Sequence, residues 1–143
     1  MRVGQEFDLA FTWIVPETGK WSNLKVLRLR FRCKQNVVAD LAWSVDDRIF
    51  SLRFGKRGRV EEARQGENAV LGGETLTFFA QTSEVEGGVE EGRGLSLRLP
   101  LVFERRAQRG KYTIDAIAEN VTGSSQVEKH VATLTLKRRR LHR

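Results

Sequence analysis

Apolar side chains recur at every second position along most of this chain. Phe7, Leu9, Phe11, Trp13 and Val15 share one parity, and Asp8, Ala10 and Thr12 share the other. Successive side chains of a strand point to opposite faces, so a period of two marks one face toward a core and one toward water. Pro16-Glu17-Thr18-Gly19 carries turn chemistry and ends this first strand. A second strand is predicted over about 24–34, with Leu27, Leu29, Phe31 and Cys33 inward and Arg28, Arg30, Arg32 and Lys34 outward. Gln35-Asn36 reads as a short turn into a third strand with Val37, Ala39, Leu41, Trp43 and Val45 on one face. Asp46-Asp47 turns into a fourth, about 49–54, carrying Phe50, Leu52 and Phe54.

Residues 55–69 hold glycine and mixed charge and are expected to form an exposed loop. Val70-Leu71 is expected to be a brief edge contact, and Leu76, Phe78, Ala80 and Thr82 a strand. Glu84 to Gly94 is acidic and glycine-rich, as at a loop tip. Leu95, Leu97, Leu99, Leu101 and Phe103 form the cleanest alternation, with Pro100 on the opposite parity. Proline lacks a donor, so this strand should be irregular, bulged or edge-exposed near it. Tyr112, Ile114, Ala116 and Ala118, then Ala132, Leu134 and Leu136, complete the series. Short strands separated by turns are the pattern of an all-β sandwich, and no long helical period interrupts them.

Two groups of residues say which sandwich. Trp43 lies on the third strand, where a buried tryptophan would meet the core between sheets. Gly110-Lys111-Tyr112-Thr113-Ile114 resembles a tyrosine corner, in which the phenol hydrogen-bonds backbone a few residues upstream. Ile114 would then stand at the usual cysteine position, and Leu29 or Phe31 would fill the other half of the missing bridge. From Phe11-Thr12-Trp13 through Leu41-Ala42-Trp43-Ser44-Val45 and Leu97-Arg98-Leu99-Pro100-Leu101 to Ala132-Thr133-Leu134-Thr135-Leu136, the order of segments resembles Ig-like modules strung in series in bacterial cell-surface and secreted proteins. The resemblance covers residues 5–136 and departs at the Asn120-Val121-Thr122-Gly123-Ser124-Ser125 turn. It implies an immunoglobulin-like antiparallel β-sandwich of 7–9 strands. It also implies an adhesion or spacer role contacting neighbouring protein modules, an extracellular or cell-surface location within a longer chain, and no catalytic residues.

The totals narrow the picture. A chain of 143 residues has the size of one domain, here 1–136 followed by a basic tail, 137–143. No apolar run approaches the ~18 residues of a membrane span. Cys33 is the single cysteine, so no intrachain disulfide forms, and its parity predicts a buried thiol. Met1 to Glu6 lacks an apolar leader, as expected of a cytoplasmic chain or of a segment of a longer exported one. Of the net charge of +7, five charges belong to Lys137, Arg138, Arg139, Arg140 and Arg143, leaving +2 for residues 1–136.

Catalytic chemistry has little to rest on. His130 and His142 are the only histidines, and His130 reads as a surface residue. No nucleophile–base spacing and no phosphate loop appears. Asp46, Asp47, Asp115 and Glu119 could in principle surround calcium, but they read more simply as turn aspartates and a solvated strand face. No cofactor, metal or small-molecule substrate is expected. The alternative function is binding of an anionic polymer, nucleic acid or wall polymer, through the Arg28, Arg30, Arg32 and Lys34 stripe and the Lys137, Arg138, Arg139 and Arg140 tail. The bland reading of the stripe is a solvated face with cross-strand acidic partners, such as Glu104 or Asp8. Trp21 and Phe79 are the candidates for exposed aromatic contact with a partner or a sugar.

Overall fold

The computed structural model describes residues 1–15, 21–55 and 58–137, with the side chains of Ser22 and His130 left aside. Eleven strands form among the described residues: β1 (Glu6–Ile14), β2 (Leu24–Cys33), β3 (Asn36–Ser44), β4 (Ile49–Phe54), β5 (Val60–Arg64), β6 (Val70–Gly72), β7 (Leu76–Phe79), β8 (Glu84–Gly88), β9 (Gly94–Phe103), β10 (Gly110–Asn120) and β11 (Ser125–Leu136). A short 3₁₀ turn, Trp21–Asn23, precedes β2. The five-stranded sheet runs β1-β9-β7-β6, with β8 also on β9; the six-stranded sheet runs β11-β10-β2-β3-β4-β5. All pairings are antiparallel, and the result is an all-β sandwich compatible with an immunoglobulin-like arrangement.

The inward parity packs as the alternation predicts. Leu27, Leu29, Phe31, Cys33, Trp43, Phe50, Leu52, Leu97, Leu99, Tyr112 and Ile114 are all buried. Aromatic contacts tie the two sheets together: Phe50, itself against its cross-strand neighbour Trp43 at 4.5 Å, meets Phe78 of the other sheet at 4.8 Å, and Phe103 meets Tyr112 at 4.7 Å. Phe78 on β7 therefore lies over Phe50 on β4, and Phe103 on β9 over Tyr112 on β10. That alignment puts β1 and β11 on one side of the sandwich and β5 and β6 on the other.

Five expectations need correction. Residues 60–64 are not loop: β5 pairs with β4 and buries Ala63. Glu84–Gly88 pairs with β9, so the acidic excursion shrinks to a tight turn with Glu90 and Glu91 at positive φ. These two strands raise the number above nine. The β2–β3 turn is Lys34-Gln35, both at positive φ, so Lys34 leaves the arginine face. Beside that turn the register shifts between Phe31 and Arg32, so that Arg32 faces Val37 and Phe31 faces Ala39. Val38 is the extra residue, a β-bulge that turns Val37 outward and itself packs against the core. Finally, Phe31 is the lateral neighbour of Ile114 within one sheet, so neither it nor Leu29 reaches Ile114 across the sandwich.

Pro100 shows why a proline can stand inside this sheet. Val15 N–H donates to Arg93 O at 2.9 Å, and the β1–β9 register is unbroken from there to Glu6. Backbone groups alternate in direction along such a pair, so Pro100, opposite Asp8, turns its nitrogen away from β1. On that other side β8 pairs with β9 as far as Arg98 and β7 begins at Leu101. The missing donor falls in the gap between them. The irregularity expected of β9 belongs to its neighbours.

Candidate functional site

The outer face of the six-stranded sheet carries the arginines. Register places Asp115, Arg30, Asp40 and Arg53 in one row across β10, β2, β3 and β4. Their charges alternate, and cross-strand neighbours are close enough to pair. Arg30 donates Nε to Asp40 Oδ1 at 2.9 Å and Nη2 to Oδ2 at 3.2 Å, while Arg53 Nη2 reaches the same Oδ2 at 3.5 Å. Arg32 Nε donates to Asp115 Oδ2 at 2.8 Å. Asp40 and Asp115 are only 4% and 3% exposed. A buried carboxylate is costly unless paired and hydrogen-bonded, and the arginines satisfy that requirement. The Asp40 hydrogen bond holds the Arg30 guanidinium above its ordinary pKa, outweighing its partial burial.

The predicted stripe thus divides. Arg30 and Arg32 are engaged by acids, Arg28 makes no salt bridge among the described residues, and Lys34 sits in the hairpin turn. The acids are Asp40 and Asp115, not Glu104 or Asp8. Glu104 accepts from Thr77 Oγ1 at 2.9 Å, and Asp8 pairs with Arg98 at 2.8 Å on the other sheet. Asp40 was legible only through the bulge. A plain two-residue hairpin would set Arg30 against the inward Ala39, and the shift of one at Val38 brings Asp40 opposite instead. A hollow of about 320 Å³ lies here, lined by Arg30, Arg32, Val37, Asp40, Arg53 and Gly55.

The outer face of the five-stranded sheet has the opposite character. Glu6, Phe7, Asp8, Thr82, Glu84 and Arg98 line a shallow hollow of about 460 Å³. Arg98 lies between Asp8 at 2.8 Å and Glu84 at 3.7 Å, and Asp8 is the main cause of its raised pKa.

Trp21 is not a free aromatic. Its ring lies on the backbone of β8, so a Cβ at Gly87 would come within 2.5 Å of it, and the side chain is half-buried against the core. Phe79 is half-buried on β7, beside the exposed Val70 of β6. The two residues therefore do not form one platform. Lys137 is exposed and its N–H donates to Met1 O at 2.9 Å; Arg138, Arg139 and Arg140, like the Pro16–Gly19 turn and His142, lie outside the described residues.

Cys33 is buried beside Tyr112. Tyr112 Oη donates to Gln108 O at 2.6 Å, the hydrogen bond expected of a tyrosine corner. Burial is the main cause that pushes its phenol up to about 12. Among the described residues, no cluster of three or more His, Cys, Asp or Glu side chains could hold a metal ion, and no helix is long and apolar enough to cross a membrane. Asp115, one of the oxygens considered for calcium, is the partner of Arg32. Comparison with protein-family models, with curated proteins and with solved structures returns no match.

Proposed function

We propose that this chain is a non-enzymatic immunoglobulin-like module that mediates contacts with neighbouring proteins in a surface or secreted assembly. The observation that carries the reading is strand order. In immunoglobulin variable-type sandwiches one sheet runs G-F-C-C′-C″ and the other contains B-E-D. Here β11-β10-β2-β3-β4 follows the first order and β1-β9-β7 the second. The tyrosine corner on β10, two residues before Ile114, stands where that fold carries it on strand F. Strand A alone has no counterpart among the described residues.

The test is site-specific photo-crosslinking in the source cells, with the crosslinker at Ile14, Val70 or Val127, all exposed apolar positions. Discrete protein adducts are expected. Adducts that disappear with nuclease or wall-hydrolase treatment would replace this reading with anionic-polymer binding through the Arg28–Arg32 face. The specific feature favouring that alternative is the arginine-lined hollow. It predicts binding that weakens steeply with salt.

A further inference from the structure

The side of the sandwich between β1 and β11 is open. The two strands end their respective sheets and share no ladder. The inward-facing Phe7, Leu9 and Phe11 of β1, and Ala132 and Leu134 of β11, pack on the core yet stay half-exposed. At one end the seam is closed, where Leu136 is buried and Lys137 N–H meets Met1 O at 2.9 Å. Above that tie, no described strand covers it.

The backbone of β1 states what would cover it. Its odd-numbered residues direct their amides and carbonyls to β9, so Glu6, Asp8, Ala10, Thr12 and Ile14 direct theirs to the free edge. An unpaired edge of nine residues, about 30 Å at strand rise, is a template for another strand. The half-exposed apolar side chains recur at a spacing of two, matching one face of that strand. Glu6 is exposed, makes no ion pair with any described residue, and stands on the outward parity. A cation on the incoming strand would be its cross-strand neighbour.

We infer that the β1–β11 seam binds an extended segment of a partner protein, with apolar residues at alternate positions and lysine or arginine between them. Such a segment adds a strand to the sheet edge and fills the gap between sheets in one step. A second copy of this chain fits less well, because its own β1 already commits its inward side chains to its own core. The inference deepens the protein-contact reading and rests on it only for the biological role; the seam stands by itself.

The experiment uses the whole protein, isotope-labelled, titrated with the acetylated and amidated peptide Val-Lys-Val-Thr-Val-Lys-Val-Thr-Val. Saturable binding is expected, with amide exchange at Asp8, Ala10 and Thr12 slowed by about tenfold or more. Ala10→Pro removes a donor that faces the free edge and should weaken binding about tenfold or more while leaving the β9 ladder intact. If that variant does not fold, Glu6→Lys decides, because it should shift preference to the peptide with glutamate in place of lysine. Undiminished binding of a scrambled peptide, protection mapped to another face, or a concentration-dependent dimer through β1 would overturn the inference. Absence of any peptide binding would overturn it too, and crosslinks from Val70 would then still support a protein-contact module using another face.

Discussion

The two lateral seams of the sandwich are built from the same materials and end differently. On the β5–β6 side, Glu61 Oε2 accepts from Gly72 N–H at 2.7 Å, the connection between the strands bonds back through Gly66 N–H to Ala80 O at 3.0 Å, and Ala63 and Leu71 are buried. On the β1–β11 side Phe7, Leu9, Phe11, Ala132 and Leu134 stay half-exposed, and the chief tie is Lys137 to Met1 at one end. The difference is one of connectivity. Residues 65–69 run directly from β5 to β6, so a short covalent link holds the sheets together there. β1 and β11 lie 111 residues apart by their facing ends, Ile14 and Ser125, with β2 to β10 between them, and nothing local draws them together.

Substitutions should separate the seams. Phe78→Ala, in the aromatic contact on the closed half, should cost about 3–5 kcal/mol in denaturant unfolding. Phe7→Ala, on the open seam and stacked on Phe103 at 5.7 Å, should cost about half as much, because its ring is already partly hydrated. Equal losses would mean the open seam is packed as tightly as the closed one. Glu61→Ala leaves the Gly72 amide without its carboxylate and should cost about 1–2 kcal/mol.

Tyr112→Phe should cost about 1 kcal/mol by leaving Gln108 O without its donor. It also has a pH signature. The folded phenol, at about 12, lies above its ordinary value near 10, so the fold binds the proton more tightly than the unfolded chain. The stabilisation is complete below about pH 10 and is lost as pH rises toward 12. Unfolding curves from pH 8 to 12 should show this alkaline loss in the native protein and a shallower one in Y112F. The smallest effect is expected at Arg98→Ala on the open half: its ion pairs with Asp8 and Glu84 are exposed and screened by solvent, so the denaturant midpoint should not move measurably.

Legibility followed the range of the interaction. The strand parities of β1, β2, β4, β9 and β10 were readable because alternation is a property of neighbours. The tyrosine corner was readable because its hydrogen bond spans four residues. β5 and β8 were missed because their exposed positions carry charge and glycine, and only the pairing edges of β4 and β9 make them strands. Trp21 reads as free until β8 is brought beneath it, where Gly87 leaves room for the ring. The arginine face was visible, but its partners were not: Arg32 and Asp115 are 83 residues apart.

What the amino-acid order alone determined is the division of side chains between a core and two outer faces, since a strand alternates wherever it lies. Which strands became neighbours, where Val38 bulges to bring Asp40 against Arg30, and which seam stayed open were decided by the tertiary structure. Those outcomes depend on edge-to-edge hydrogen bonds and packing between segments distant in the chain, and no local pattern encodes them.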